Sequence, residues 1–158
     1  MDAVDKQILN KIQTEFPFAE RPFLELGKEL GLEESDVLER IKKMKEEGVI
    51  RRIGASFDSK KLGFKSTLCA IRAPEGRVDE VAEAVNAYAE VTHNYLRNHE
   101  YNIWFTLITP SRERIQQILR EISEKTGITD VREMPATRMF KIGVNLRFKE
   151  GGGNGSDF

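Results

Sequence analysis

The sequence predicts an α+β protein in which an N-terminal winged helix-turn-helix precedes a ferredoxin-like βαββαβ domain. Residues 1–60 contain three apolar stripes with helical spacing, followed by a short strand-like run. Residues 61–149 alternate strand-like and helical segments in the order β-α-β-β-α-β. Residues 150–158 are rich in glycine and show no apolar periodicity. We therefore expect two domains followed by a disordered tail.

The N-terminal helices are indicated by apolar residues that recur on one side of each helix. In the first helix, Val4, Ile8 and Ile12 recur at every fourth position. Pro22 stands at the first position of the second helix, and Gly31 follows its last residue. The remaining elements of this domain are a third helix over about residues 34–47 and a wing over residues 49–58.

The sheet domain is indicated by segments rich in β-branched and aromatic residues, with two helical stripes between them. Alternation along the third strand directs Ile103 and Phe105 toward the helices. The same alternation leaves Asn102 and Trp104 on the other face of the sheet. The predicted strands are Phe64–Arg72, Val91–Arg97, Tyr101–Ile108 and a last stretch through Met139–Phe148.

The composition excludes several classes of protein. Lysine and arginine total 25 against 26 acidic residues, so the chain lacks the bulk positive charge of a typical nucleic-acid binder. No apolar stretch is long enough to cross a membrane, and the N-terminus lacks the apolar core of a signal peptide. The single cysteine, Cys69, excludes an internal disulfide and a cysteine-rich zinc site. We expect a cytoplasmic protein with no membrane partner and no metal site of its own.

The predicted recognition helix argues against DNA binding. Its first residues include Glu33, Glu34 and Asp36, at the position where such a helix meets base edges. Residues 1–60 contain 11 basic and 13 acidic residues, whereas DNA affinity depends on cations that neutralise phosphates. The acidic start also suits the positive end of the helix dipole. A nucleic-acid partner is therefore not expected.

The chain resembles the Lrp/AsnC family of transcription regulators over nearly its whole length. The resemblance implies a sheet domain that binds an effector and pairs with a second subunit. The residues that carry it are Asp5, Ile8, Leu9, Leu26, Leu30, Gly31, Leu32, Val37, Arg40, Ile41, Gly48, Val49, Ile50 and Gly63.

Three segments are more closely similar to siroheme decarboxylase subunits, a branch of the same fold. The resemblance implies removal of carboxyl groups from siroheme, in the alternative haem pathway or in haem d1 synthesis. It also implies a homologous second subunit and no required cofactor, with the iron tetrapyrrole bound as substrate or product, and haem as a further ligand. The chain resembles the A-type partner, because the B-type subunit has a longer insertion at residues 97–99. The segments are GVIRRIGASFDSKKLGF, VTHNYLRNHEYNIWFTL and REMPATRMFKIGVNLRF.

Both histidines lie in the second of these segments. His93, Tyr95 and Arg97 alternate along a predicted strand and so share one face, and His99 follows in the hairpin. Histidine exchanges protons near neutral pH, so we predict that His93 or His99 transfers a proton to the carbon left when CO2 departs. His93 is also a candidate axial ligand of the substrate iron. The alternative is that both are ordinary surface histidines.

A polycarboxylate substrate calls for cations at the rim of its site. Residues 130–149 contain five basic and two acidic residues. We predict that Arg97, Arg138 and Lys141 bind substrate carboxylates. The alternative is that these side chains are solvated charges at strand edges.

The flat macrocycle also calls for aromatic or apolar walls. Tyr95, Asn102 and Trp104 are predicted to contact the substrate, although aromatic residues on a strand equally suit a core. Arg51 and Arg52 in the wing either reach the substrate or tie the wing to the sheet. Two other functions stay open from the sequence alone: a ligand-responsive DNA-binding regulator and a tetrapyrrole sensor without catalysis.

Overall fold

The computed structural model describes residues 1–141, 143 and 145–148. The predicted tail at 150–158 lies outside the described residues. The described elements confirm the predicted α+β fold class. In chain order they are α1 (Ala3–Thr14), α2 (Pro22–Leu30), α3 (Glu34–Glu46), β1 (Lys65–Ile71), α4 (Val78–Asn86), β2 (Val91–Leu96), β3 (Ile103–Thr109), α5 (Arg112–Thr126) and β4 (Val131–Met134).

The chain divides into two compact units. The first contains Met1–Ala55 and the described residues from Lys141 onward, and the second contains Ser56–Phe140. The first unit is a three-helix bundle with its own core of apolar side chains. Those buried side chains are Ile8, Leu9, Leu26, Val37, Ile41, Met44 and Ile50.

The prediction that residues 49–58 form a two-stranded wing is wrong. None of residues 49–58 is in a strand. Ile50 is buried in the core of the bundle, whereas Ile53 and Phe57 are exposed. A two-stranded hairpin is only marginally stable without further strands or a covered apolar face. The segment after α3 therefore has no regular secondary structure in place of the predicted wing.

The start of α1 is held by a charge cluster. Asp2 and Asp5 form a capping box, in which each carboxylate accepts the backbone N–H of the other residue at 2.8 Å or less. The Arg40 guanidinium on α3 lies 2.7 Å from both carboxylates. The hydrogen bond from Arg40 lowers the pKa of Asp2 to about 2.

This cluster predicts an acid-dependent loss of stability. Because the folded pKa of Asp2 is depressed, its contribution is fully present above the unfolded value of about 3.9 and is lost as the pH falls toward about 2. Urea unfolding across this range should show a shallower pH dependence for Asp2→Asn than for the unchanged chain. Equal pH dependence of the two proteins would contradict the assignment.

Two amide side chains on α1 bind the backbone of Leu146 and Phe148. The Gln13 amide donates to the carbonyl of Leu146 and accepts its N–H, both at 3.0 Å. The Asn10 amide makes the same pair of bonds to Phe148, at 3.0 and 3.1 Å. The Phe148 side chain packs against the bundle core. We call this arrangement the amide clamp.

The second unit is a four-stranded antiparallel sheet with the order β2-β3-β1-β4. Helices α4 and α5 pack on one face of this sheet. The buried side chains between them include Phe105, which is fully enclosed. Cys69 is also on this face, and burial raises the pKa of its thiol to about 12, as suits a packing residue. The core is Cys69, Ile71, Ala73, Val81, Val85, Ile103, Phe105, Leu107, Ile115, Ile118, Ile122 and Ile128.

The prediction of the last strand is wrong. The fourth strand is Val131–Met134, and no described residue between Met139 and Phe148 is in a strand. Pro135 directly follows Met134 and has no N–H to continue the ladder with β1. The apolar residues that suggested a later strand include Phe148, which packs on the first unit instead.

Candidate active site

The face of the sheet opposite α4 and α5 carries the candidate site, and we call it the open face. Directly paired residues on neighbouring strands point to the same face, so the pairing defines two rows across the sheet. The aromatic row is Tyr95, Trp104, Ala70 and Arg132. The histidine row is His93, Thr106, Leu68 and Met134.

His93 is exposed at the β2 end of the histidine row. Its ring is nearly parallel to that of Tyr95, with 6.0 Å between the centroids. The Nδ1 atom lies 3.1 Å from the Thr92 hydroxyl, which itself donates to the carbonyl of Thr106 at 3.4 Å. The hydroxyl oxygen can therefore accept a hydrogen bond from a protonated Nδ1. This contact suits both the neutral and the protonated ring and leaves Nε2 for a substrate.

His99 has a different environment in the hairpin between β2 and β3. The backbone N–H of Tyr101 donates to its Nδ1 at 3.1 Å. Because that nitrogen accepts a hydrogen bond, the proton of the neutral ring is on Nε2. Protonating Nδ1 would set two donors against each other. His99 is therefore arranged to donate a hydrogen bond from Nε2.

Arg97 and Trp104 join these histidines on the same side of the sheet. The guanidinium carbon of Arg97 lies 5.7 Å from the centre of the Trp104 ring, within the range of a cation–π contact. The His99 ring meets the Trp104 ring edge-on, with 6.4 Å between the centroids. The indole N–H donates to the carbonyl of Tyr101 at 2.6 Å. The predicted residues His93, Tyr95, Arg97, His99 and Trp104 are thus brought together.

Asn102 is instead bonded to the backbone of the sheet. Its amide oxygen accepts the N–H of Ala73 at 2.9 Å, and its amide nitrogen donates to the carbonyl of Ala73 at 3.0 Å. Both ends of the side chain therefore join the start of β3 to the end of β1. Its predicted contact with a substrate stays a prediction.

This bonding predicts a structural effect of Asn102→Ala. The change leaves a donor and an acceptor of the buried Ala73 without their partner. We expect a loss of about 1 to 3 kcal/mol in the free energy of unfolding, measured by urea denaturation. Asn98→Ala, at an exposed position in the same hairpin, should change it by less than about 0.5 kcal/mol. Equal effects of the two changes would contradict the structural role of Asn102.

Four predicted cations are not members of the two rows. Arg138 is exposed and its guanidinium carbon lies 4.9 Å from the centre of the Phe140 ring. Lys141 is exposed and belongs to the first unit. Arg51 and Arg52 line a cavity of about 280 Å³ in the first unit, beside Leu146 and Phe148. Their contacts with a substrate stay predictions.

Arg132 is a site residue that the sequence pattern did not reveal. Because the sequence predicts the last strand at later residues, it gives Val131–Met134 no place on a sheet face. In the structure Arg132 ends the aromatic row, and its Nε donates to the Tyr101 hydroxyl at 2.6 Å. That hydroxyl donates in turn to Asp130 at 2.8 Å. The aromatic row therefore ends on a cation at β4, while Arg97 lies over its Trp104 ring.

The described residues contain neither a candidate metal site nor a candidate membrane-spanning helix. Within 1–141, 143 and 145–148, no three His, Cys, Asp or Glu side chains are grouped so that they could hold a metal ion. No helix in this part of the chain has the length and apolar character needed to cross a bilayer.

The arginines near the recognition helix α3 are bound to carboxylates. Arg21 is in close contact with Glu34, the first residue of that helix. Arg40 is bound by Asp2 and Asp5. Both arginines form ion pairs within the first unit, and the expectation that this helix does not bind nucleic acid stays a prediction.

Comparison with known proteins assigns the chain to a family. A family model for the siroheme decarboxylase NirDL-like HTH domain matches residues 5–51, and one for the AsnC-like ligand binding domain matches residues 61–141. A siroheme decarboxylase alpha subunit of Desulfovibrio desulfuricans is 53% identical over 147 residues, which cover 93% of this chain and 84% of the relative. The chain belongs to the siroheme decarboxylase family. This result confirms the predicted family and the predicted A-type subunit.

Solved structures place the siroheme decarboxylase family within a wider fold. The siroheme decarboxylase NirDL is 34% identical with a TM-score of 0.69, and the match covers 93% of this chain but 48% of NirDL. The chain thus spans about half the length of that protein. NirDL has also been solved in complex with an iron-uroporphyrin III analogue. An AsnC family transcriptional regulator from Agrobacterium tumefaciens is 27% identical with a TM-score of 0.76, over 92% of this chain and 96% of the regulator.

Proposed function

We propose that the chain is the A-type subunit of a siroheme decarboxylase that removes the carboxyl groups of two acetate side chains of siroheme. The product would be didecarboxysiroheme, an intermediate of the alternative haem pathway. The observation that carries this proposal is the 53% identity to a siroheme decarboxylase alpha subunit over nearly the whole chain. The open face supports it, because it groups two histidines with aromatic rings and arginines.

The reaction requires one proton for each CO2 released. The bond between the acetate methylene and its carboxylate breaks, and the electron pair is delocalised into the macrocycle of the substrate. A proton then adds to the methylene carbon, which becomes a methyl group. The protein therefore has to orient the substrate, exclude competing reactions and deliver that proton.

We assign the proton delivery to His93 rather than His99. The Thr92 hydroxyl contacts Nδ1 of His93 and leaves its Nε2 for the substrate, whereas Nδ1 of His99 accepts the Tyr101 N–H. His99 would instead donate its Nε2 proton to a substrate carboxylate. The alternative role for His93 is axial ligation of the substrate iron through Nε2, which would exclude proton delivery from that nitrogen.

The remaining roles follow from charge and shape. Tyr95 and Trp104 would contact the flat macrocycle, and Arg97 would bind a propionate at its rim. Leu68 and Met134, at the end of the histidine row opposite His93, offer an apolar surface for the macrocycle. Further proposed substrate-binding residues are Arg138, Lys141, Arg51, Arg52 and Asn102.

The proposed assembly is a heterodimer with a homologous second subunit. Relatives of 37% and 40% identity are named as NirD and NirG subunits, which supports an enzyme of more than one subunit. We propose that no cofactor is required beyond the iron tetrapyrrole itself, and that haem is a second ligand of the same face.

An anaerobic assay tests this function. The chain, purified together with its homologous second subunit, is incubated with siroheme, and the product mass is followed. Loss of the mass of two CO2 molecules is expected. Tetrapyrrole binding seen in the visible spectrum without any mass loss would favour a sensor and overturn the enzyme.

A transcription regulator is the second candidate, favoured by the match to the AsnC family regulator. It predicts a shift of promoter DNA that weakens as salt rises. Absence of any shift at low salt rejects this candidate. A salt-dependent shift combined with no decarboxylation would replace the first proposal by the second.

A further inference from the structure

We infer that Arg132 is a second carboxylate-binding residue of the open face, held ready by Tyr101 and Asp130. The inference rests on the proposed function and adds a substrate contact that determines how the macrocycle is oriented. Its starting point is the contact chain from Asp130 through the Tyr101 hydroxyl to Arg132.

The contacts of Arg132 fix one edge of its guanidinium. Its Nε donates to the Tyr101 hydroxyl at 2.6 Å, and its guanidinium carbon lies 5.4 Å from the centre of the Tyr101 ring. Its Nε also lies 3.6 Å from an oxygen of Asp130. These contacts use Nε and leave the two terminal amino groups for a ligand. Two parallel donors of this kind match the two oxygens of a carboxylate.

Asp130 orients the Tyr101 hydroxyl so that its oxygen can accept a hydrogen bond from Arg132. The hydroxyl proton is donated to Asp130, so the oxygen is left as an acceptor for Nε. The side chain of Arg132 is still 64% exposed, so the guanidinium is accessible while its orientation is restricted. Tyr101 is therefore a positioning residue, and Arg132 is the group that touches the ligand.

The place of Arg132 in the sheet determines which carboxylate it binds. Arg132 and Tyr95 occupy opposite ends of the aromatic row, on the two edge strands. With neighbouring strands about 4.8 Å apart, the three steps from β2 to β4 amount to about 14 Å. The Arg97 guanidinium lies over the Trp104 ring of β3, so a flat macrocycle on this row would meet Arg97 toward its β2 side and Arg132 at its β4 end. Two carboxylates held at opposite rims prevent rotation of the macrocycle in its own plane.

Arg132 lies two residues from Met134 along β4 and so belongs to the row next to the histidine row. Because β2 and β4 are opposite edges of the sheet, Arg132 is three strands across from His93, the proposed proton donor. The carboxylate that it binds is a propionate that stays on the product. Weakening this contact should therefore affect binding more than the chemical step.

The test compares four forms of the chain, each purified with the second subunit. Arg132→Gln should raise KM for siroheme about 10-fold, with kcat changed less than about 2-fold. Tyr101→Phe keeps the ring but removes the hydroxyl, and should raise KM about 3-fold. Arg72→Gln is the matched control, because Arg72 is an exposed arginine at the end of β1 whose partner is Glu100 at 3.9 Å. It should leave both constants unchanged.

A binding titration separates a ligand contact from a folding effect. Iron uroporphyrin III and haem are titrated by visible absorption, since haem has fewer carboxylates. Arg132→Gln should weaken the binding of iron uroporphyrin III about 10-fold and that of haem by less than about 3-fold. Equal weakening of both ligands, or a KM equal to that of Arg72→Gln, would overturn the inference.

Two further outcomes also discriminate. If Arg132→Gln does not fold, the Tyr101→Phe result decides, and an unchanged KM in that variant overturns the inference. If the unchanged chain binds iron uroporphyrin III but does not decarboxylate siroheme, the proposed function fails. The selective loss of iron uroporphyrin III binding in Arg132→Gln would then still establish the carboxylate contact.

Discussion

Replacing His93 by alanine is expected to lower kcat for siroheme decarboxylation by a factor of about 10² to 10⁴. The ring is exposed on the open face, and its Nδ1 contact with the Thr92 hydroxyl leaves Nε2 to deliver a proton. KM should change much less, because the main substrate contacts are assigned to the arginines and aromatic rings. Steady-state rates, measured anaerobically with the second subunit present, give both constants.

His99→Ala is the matched comparison for this prediction. Because Nδ1 of His99 accepts the Tyr101 N–H, the neutral ring offers its Nε2 as a hydrogen-bond donor, and its proposed role is to bind a substrate carboxylate. Losing a hydrogen bond to a charged acceptor costs about 1.5 to 3 kcal/mol, so KM should rise about 10-fold or more while kcat is largely retained. A large fall in kcat for His99→Ala with an unchanged kcat for His93→Ala would reverse the two assignments.

Replacing Phe105 by alanine is expected to reduce the free energy of unfolding by about 3 to 5 kcal/mol. The ring is fully enclosed between β3 and the helices, so its removal leaves a cavity as well as losing buried apolar area. Urea unfolding followed by circular dichroism measures the change. The aromatic ring next to it in chain order, Trp104, points to the opposite face and is only half-buried.

Tyr95→Ala provides the control for Phe105→Ala. Tyr95 is on the adjacent strand but is 54% exposed on the open face. Its removal should cost less than about 1 kcal/mol, because a side chain that is already half in water leaves no enclosed cavity. A cost for Tyr95→Ala equal to that for Phe105→Ala would mean that the open face is packed as tightly as the core.

Strict alternation made β3 predictable from the sequence. Its buried and half-buried positions alternate, so the period of two is enough to assign Phe105 and Trp104 to the correct faces. The fourth strand was not predictable in the same way, because Val131–Met134 has only four residues and a weak apolar signal. The longer apolar run through Phe148 was more strand-like in composition but packs on the first unit.

The sequence was enough to predict which residues of β2 share a face. It was not enough to predict which role each histidine has. Spacing along β2 predicts that His93 and Tyr95 share one face, and the pairing of β2 with β3 places them on the same face. The hydrogen bond that distinguishes His99 from His93 comes from a backbone N–H in a hairpin, and hairpin geometry is not encoded in a simple periodicity. The same holds for Asn102, whose bonding partner is 29 residues away in the chain.

The amide clamp has a consequence for synthesis on the ribosome. Asn10 and Phe148 are 138 residues apart, yet their bonds belong to the helical bundle that is made first. The bundle can assemble its three helices early, but it acquires these last bonds only after residue 148 has left the exit tunnel. Throughout translation of the sheet, the nascent N-terminal unit therefore exposes an apolar surface. Phe148 covers this surface only afterwards.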